Sequence, residues 1–337
     1  MIEAIRLTKR YTPGSPPAVD EVSFVLEPGT VTGFLGPNGA GKSTTIRMLT
    51  GYLPPTSGGA KIDGHDTLTD AHAARRLLGY LPESNALYPE MRSVEFLHFV
   101  GKLQGMPRRD RKRRIEELTE RCGLSLILRR TVARLSKGNR QRVGIASALM
   151  HDPPVVVLDE PTSGLDPRQM SEVRDLIRDL GGTHTVLLST HLLPEVQRCC
   201  DRAIIIAGGR VVSDGSLDAL RDEALRTGQA GTVLIEAKGS VEAVRTALAG
   251  VSGVDQFDAT AADETGWVDA WLVSDRGVDV RDAAASALQA AGLLVREIRR
   301  EVPTLEEYFF RVTDPAHTPS RELAEVPGRV EATGGDA

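Results

Sequence analysis

Eight consecutive residues carry the clearest chemistry in the chain. Gly36-Pro37-Asn38-Gly39-Ala40-Gly41-Lys42-Ser43 fit the pattern G-x-x-x-x-G-K-S, a loop whose backbone N–H groups curl around phosphate oxygens. The helix predicted to open at Thr44 adds its positive N-terminal partial charge to the same spot. In such a loop the Lys42 amine reaches the β- and γ-phosphates, and the Ser43 hydroxyl ligates Mg²⁺. The plain alternative is a glycine turn. It is outweighed by the context, an apolar run at Val31–Leu35 before the loop and a helical pattern at Thr44–Leu49 after it.

A second constellation lies further on. Val155–Leu158 is wholly apolar and ends at Asp159-Glu160, which predicts a buried parallel strand with two carboxylates at its tip. Asp159 is placed to hold Mg²⁺. Glu160 is placed to orient and deprotonate a water attacking the γ-phosphate, a role typically worth ~10²–10⁴ in rate. Another apolar strand, Thr185–Ser189, ends in Thr190-His191, and a third, Leu77–Leu81, ends in Pro82-Glu83. Tyr11 precedes the glycine loop and has two readings, a ring that stacks on a purine or a core tyrosine.

These side chains need a sheet to hold them, and the chain supplies one. Ile2–Leu7 and Val22–Leu26 are strand-like, and Pro28-Gly29 turns the chain into the strand before the loop. Residues 93–130 read as helices, with Val94, Leu97, Val100 and Leu103 on one stripe. Pro107–Arg114 is strongly basic and reads as a solvated helix start, with Glu116, Glu117 and Glu120 at pairing distance. Its alternative is a contact with anionic lipid headgroups. Asp166-Pro167 starts a helix, with the aspartate as N-cap and proline at the first helical position. After residue 225 the order changes to β-α-β-β-α-β, that of a ferredoxin-like unit. Thr304 and Glu307 form a capping-box pattern at the start of a last helix.

Composition narrows the class. A hydrophobic share of 41%, a charged share of 26% and a net charge of −5 over 337 residues describe an ordinary globular chain and do not favour a nucleic-acid partner. No apolar stretch reaches the ~18 residues that cross a bilayer, and the N-terminus carries no signal pattern. The expected location is therefore cytoplasmic. Three cysteines fit a reducing compartment, and the vicinal Cys199-Cys200 pair reads as the buried face of a helix.

Leu135-Ser136-x-Gly138 with Gln141-Arg142 resembles the signature sequence of the ABC ATPases. The Walker A loop, Asp159-Glu160, Ser163-Gly164-Leu165-Asp166 and Thr190-His191 follow that family's motifs in order. The resemblance spans residues 1 to about 220. It implies an α/β P-loop NTPase core with an antiparallel β subdomain and a helical subdomain at about 84–134. It implies that Tyr11 stacks on adenine, that His191 contacts the γ-phosphate, and that Ser136 and Gly138 act on ATP held by a second copy. Asp166 would lie at that interface. Two chains would pair head to tail around two ATP molecules, each with Mg²⁺. Glu83 stands where the family usually has glutamine; a carboxylate there still ligates metal, and more strongly, but donates no hydrogen bond while ionised.

The segment 230–312 resembles the small α+β domain appended to exporter ATPases, and 313–337 reads as a disordered tail. The resulting expectation is residues 1–225 as the ATPase, peripheral on the inner face of the cell membrane, energising export through a separate transmembrane permease. Residues 84–134 would dock on that partner. The rival is a soluble ABC ATPase acting on ribosomes or DNA. It is disfavoured by the single cassette in this chain and by the lack of a sustained heptad.

Overall fold

Neighbouring parallel strands bring the distant motifs to one edge. The computed structural model describes residues 1–227, 232–274, 278–300 and 304–314. The central sheet contains β3 (Val31–Leu35), β6 (Leu78–Leu81), β7 (Val155–Asp159), β8 (Thr185–Thr190), β9 (Arg202–Ala207) and β10 (Arg210–Ser216). Their order is β10-β9-β3-β8-β7-β6, with only β10 antiparallel. The continuous apolar runs of β7 and β8 are buried at every position, as a sheet covered on both faces requires. Because β6, β7, β8 and β3 are adjacent and parallel, their carboxyl ends share one edge. Leu35 pairs with Thr190, Asp159 with Ser189 and Leu81 with Leu158. That edge is where open α/β sheets bind ligands.

A second, antiparallel sheet covers one side, in the order β2-β1-β4-β5, formed by β1 (Ile2–Lys9), β2 (Val19–Leu26), β4 (Ser57–Ile62) and β5 (His65–Asp66). Alternating burial along β2 turns Val22, Phe24 and Leu26 inward. They share a core with Phe34, Ile62 and Ile46, the last from α1 (Lys42–Leu49). Phe24 and Phe34 rings lie 5.7 Å apart, a favourable aromatic separation.

The other side carries helices. α2 (Ala71–Arg76) leads into β6, and α3 (Ser93–Leu103), α4 (Arg108–Arg121) and α5 (Lys137–Ala148) form the helical region. Glu95 closes the start of α3 by accepting from the Arg92 N–H at 2.9 Å. The α3 stripe is shorter than its sequence period. Leu97 is fully buried but Leu103 is 71% exposed at the helix end, so the core face turns on Phe96 and Leu97. The basic start of α4 pairs with two of the three expected acids, Lys112 to Glu116, and Arg113 and Arg114 to Glu117. α6 (Pro167–Arg178), α7 (Leu193–Cys199) and α8 (Leu217–Thr227) complete this layer. Cys199 ends α7, and both it and Cys200 are buried and free.

The C-terminal sheet is formed by β11 (Thr232–Lys238), β12 (Val254–Ala261), β13 (Trp267–Ser274) and β14 (Leu294–Arg300), in the order β12-β13-β11-β14 and antiparallel throughout. Counted within this unit the order is 4-1-3-2, which the ferredoxin-like arrangement of β-α-β-β-α-β requires. α9 (Val241–Leu248) and α10 (Arg281–Ala290) cover one face, and the unit has its own core around Val244, Leu272 and Leu288. The last helix, α11 (Leu305–Thr313), has the capping box, with Thr304 and Glu307 bonded reciprocally. Its packing differs from its place in the chain order. Leu305, Tyr308 and Phe309 join the core of the first part, and the Tyr308 hydroxyl donates to Ser213 Oγ at 2.9 Å. Of the expected tail, residues 315–337 lie outside the described residues.

Candidate functional site

The glycine loop is built to keep its backbone bare. A Cβ on Gly36 would lie 2.3 Å from the Ile206 carbonyl oxygen, so no side chain fits there. Gly41, at φ 105°, occupies backbone space that other residues rarely enter, and it caps α1. Pro37, Asn38 and Gly39 are exposed, whereas Ala40 is buried. Ser43 and Thr44 sit in the first turn of α1, half-buried at the loop's edge. Lys42 folds back into the loop and donates to the Gly36 and Pro37 carbonyl oxygens at 2.7 and 3.2 Å. Burial pushes its pKa down, and the nearby carboxylates of Glu160, Asp159 and Glu83 work against that shift.

Asp159 and Glu160 face the loop from the end of β7. Lys42 Nζ is 4.0 Å from Glu160 Oε1. Asp159 is 3% exposed, and its Oδ1 is buried with no hydrogen-bond partner. Desolvation raises its pKa, and the charges of Glu83 and Glu160 raise it further. A buried acceptor without a donor is costly unless a cation or water meets it. Glu160 has φ 48°, which is uncommon for a residue with a side chain. Its N–H donates to the Ser189 carbonyl on β8 at 3.0 Å, which holds that turn. His191 Nδ1 lies 2.9 Å from both Glu160 carboxylate oxygens, within reach for the ring N–H to donate.

A cavity of about 590 Å³ opens over this cluster, lined by Glu83, Asp159, Glu160, Lys137 and Ser163 among others. Glu83 is exposed on its wall. Tyr80 lies behind it, its hydroxyl pushed up to about 12 by burial and by the charge of Asp159. Tyr11 stands apart at the rim. It is 61% exposed, and its hydroxyl is 3.2 Å from Thr44 Oγ1. That places an open ring beside the phosphate loop and makes the core-tyrosine reading untenable.

Ser136, Gly138 and Asp166 form a separate group. Ser136 caps α5 by accepting from the Asn139 N–H at 3.3 Å, and Asp166 caps α6 by accepting from the Gln169 N–H at 2.9 Å. The Gln169 side chain lies against Gly138, where a Cβ would meet its Oε1 at 2.3 Å. Within one chain none of the three lines the cavity beside Glu160.

Three residues outside the motifs, Glu195, Thr162 and Asn85, also belong here. Glu195 on α7 accepts from both Thr162 and Thr190 hydroxyls, linking the turn after Glu160 to the strand end before His191. Asn85 donates to the Arg140 carbonyl at 2.9 Å, tying the segment after Glu83 to α5. Their partners are far apart in the chain, so no local pattern marks them. Only the position of Glu195, four residues after His191, hints at a shared helical turn.

Known proteins agree with this geometry. The family model for ABC transporters matches residues 19–163. The daunorubicin resistance ATP-binding protein DrrA3 of Streptomyces coeruleorubidus is 37% identical over 306 residues, which is 90% of this chain and 93% of that protein. The linearmycin resistance ATP-binding protein LnrL of Bacillus subtilis (strain 168) is 31% identical over 93% of this chain and 98% of its own length. Among solved structures, a dimeric bacterial ABC transporter cassette superposes with a TM-score of 0.59 at 27% identity, covering 64% of this chain and 99% of that one. With both relatives matched nearly end to end, this chain belongs to the ATP-binding subunits of ABC transporters and is an ATPase.

Proposed function

We propose that the chain binds ATP with Mg²⁺, hydrolyses it as a head-to-tail pair of identical subunits, and so energises export through a separate membrane protein. The observation that carries this reading is that Asp159 and Glu160 line one cavity at the strand edge, with Lys42 Nζ 4.0 Å and His191 Nδ1 2.9 Å from the Glu160 carboxylate.

Each side chain then has a role. The loop from Gly36 to Thr44 cradles the phosphates through its N–H groups, and Lys42 exchanges its two carbonyl contacts for phosphate oxygens. Tyr11 stacks on the adenine. Ser43, Asp159 and Glu83 would hold the metal, which fits the unpartnered buried oxygen of Asp159 and an all-oxygen donor set. When bound, the ion neutralises phosphate charge. Glu160 takes the proton of the attacking water, and His191 orients Glu160 and faces the γ-phosphate. Ser136 and Gly138 serve the ATP of the partner copy, with Asp166 at the interface. Their separation from the cavity within one chain favours a role in trans.

Export is supported by the drug-resistance names of the two relatives that match nearly end to end. No helix among the described residues is long and apolar enough to cross a membrane, so a peripheral seat on the inner membrane face, against a permease, completes the proposal. A groove of about 310 Å³ between the sheet edge and the helical region, lined by Tyr52, Leu81, Asn85, Phe96 and Val100, is the proposed seat for that partner. Nucleic acid has no part in this reading.

Glu160→Gln is the test of the chemistry. It should leave ATP affinity unchanged and lower turnover at least ~100-fold, the lower end of the range for a general base. Steady-state hydrolysis alongside a nucleotide-binding titration measures both. Turnover close to wild type would remove Glu160 from the mechanism.

A further inference from the structure

Glu195 is 1% exposed and lies outside every motif named above. Its Oε1 accepts from Thr162 Oγ1, and its Oε2 accepts from Thr190 Oγ1 at 2.7 Å. Thr162 is two residues past Glu160, in the tight turn closed by the Ser163 N–H to the Glu160 carbonyl and by the Leu165 N–H to the Thr162 carbonyl. Thr190 is the residue before His191, and its hydroxyl oxygen also accepts from the Leu192 N–H at 3.1 Å. One carboxylate thus clasps the two loops that bring Glu160 and His191 to 2.9 Å.

The energetics favour a positioning role over simple stabilisation. A carboxylate taken out of water is expensive, and an apolar side chain of similar size fills such space at no desolvation cost. What an apolar side chain cannot offer is two acceptors at a fixed separation. Two donors arrive here from different loops, and the other hydrogen bond of Thr190 fixes which way its hydroxyl points. The turn that benefits is the one in which Glu160 is held at φ 48°, a conformation that persists only when its surroundings over-determine it.

We infer that Glu195 is a positioning residue that sets the Glu160–His191 geometry by bridging Thr162 and Thr190. The inference rests on the proposed roles of Glu160 and His191. Glutamine at 195 keeps the shape but one acceptor oxygen, and leucine keeps the volume but neither. The series wild type, Glu195→Gln, Glu195→Leu should therefore lose kcat in steps, reaching on the order of 100-fold, the loss expected from a misplaced catalytic group. KM for ATP should stay within about twofold, since binding in the ground state is untouched. Thr162→Val and Thr190→Val, each removing one clasp, should resemble Glu195→Gln.

A second readout separates positioning from folding. The His191 ring ¹⁵N signals, recorded by NMR on the full chain without nucleotide, should shift in Glu195→Leu towards those of Glu160→Gln. The melting temperature should not follow kcat through the series. Unchanged kcat with an unchanged His191 signal would overturn the inference. So would a loss of kcat that tracks melting temperature or ATP affinity, because Glu195 would then only support the fold. If Glu160→Gln itself turns over normally, the reading of the site fails first. A dead Glu160→Gln with a fully active Glu195→Leu sinks the clasp alone.

Discussion

Glu83 sets the charge of the cavity. Three carboxylates, Glu83, Asp159 and Glu160, meet there close to Lys42; Glu83 and Glu160 raise the cost of ionising Asp159, and all three offset the lowered pKa of Lys42. Like charges in a partly dry site repel strongly, so they need a cation between them. The proposal that Glu83 ligates Mg²⁺ gives a direct prediction. Glu83→Gln should retain hydrolysis but raise the Mg²⁺ concentration needed for half-maximal rate, on the order of a few-fold for the loss of one anionic ligand. Titrating Mg²⁺ at fixed ATP measures it, and superimposable curves would leave Glu83 without a metal role. At this scale the sequence was informative where chemistry is contiguous. The loop from Gly36 to Ser43 and the Asp159-Glu160 pair are consecutive residues on a readable strand or helix. Glu195 was not legible, because its meaning comes from Thr162, which is 33 positions away.

Elements explain how the site could report its state. Glu83 lies two residues past the end of β6, and two residues later Asn85 is bonded to Arg140 on α5, the helix that Ser136 caps. A Cβ on Gly144 would collide with the Asn85 amide, so that contact is also close-packed. The segment that carries Glu83, the proposed metal ligand, is therefore tied through Asn85 to the helix that Ser136 caps. At the other end of the chain, α11 returns to the first part and buries Phe309 and Tyr308 there. Its capping box marked where the helix starts but not which surface would receive it. Phe309→Ala should destabilise the ATPase part by about 3–5 kcal/mol, the usual loss for a buried phenylalanine. Urea unfolding followed by far-ultraviolet dichroism tests this. An unchanged midpoint would mean that α11 is only loosely applied.

The whole molecule makes sense as half of a catalytic unit. In the proposed reading the groups that bind phosphate and activate water lie on one sheet edge, while Ser136, Gly138 and Asp166 are not part of the cavity's lining within their own chain. The fold class was legible throughout, because parallel strands buried on both faces leave an unbroken apolar signature. The pairing of copies came only with the family resemblance, because periodicity and composition carry no sign of which exposed cap meets another chain. The dimeric cassette among the similar structures shows that such cassettes pair. The measurement that tests the central claim is size-exclusion chromatography with light scattering on Glu160→Gln, with and without Mg–ATP. The account predicts a monomer without nucleotide and twice that mass with it. Adding Ser136→Arg should abolish the dimer while ATP still binds to each chain. A Glu160→Gln, Ser136→Arg protein that dimerises with ATP as readily as the single variant would contradict a site completed by the partner's signature residues.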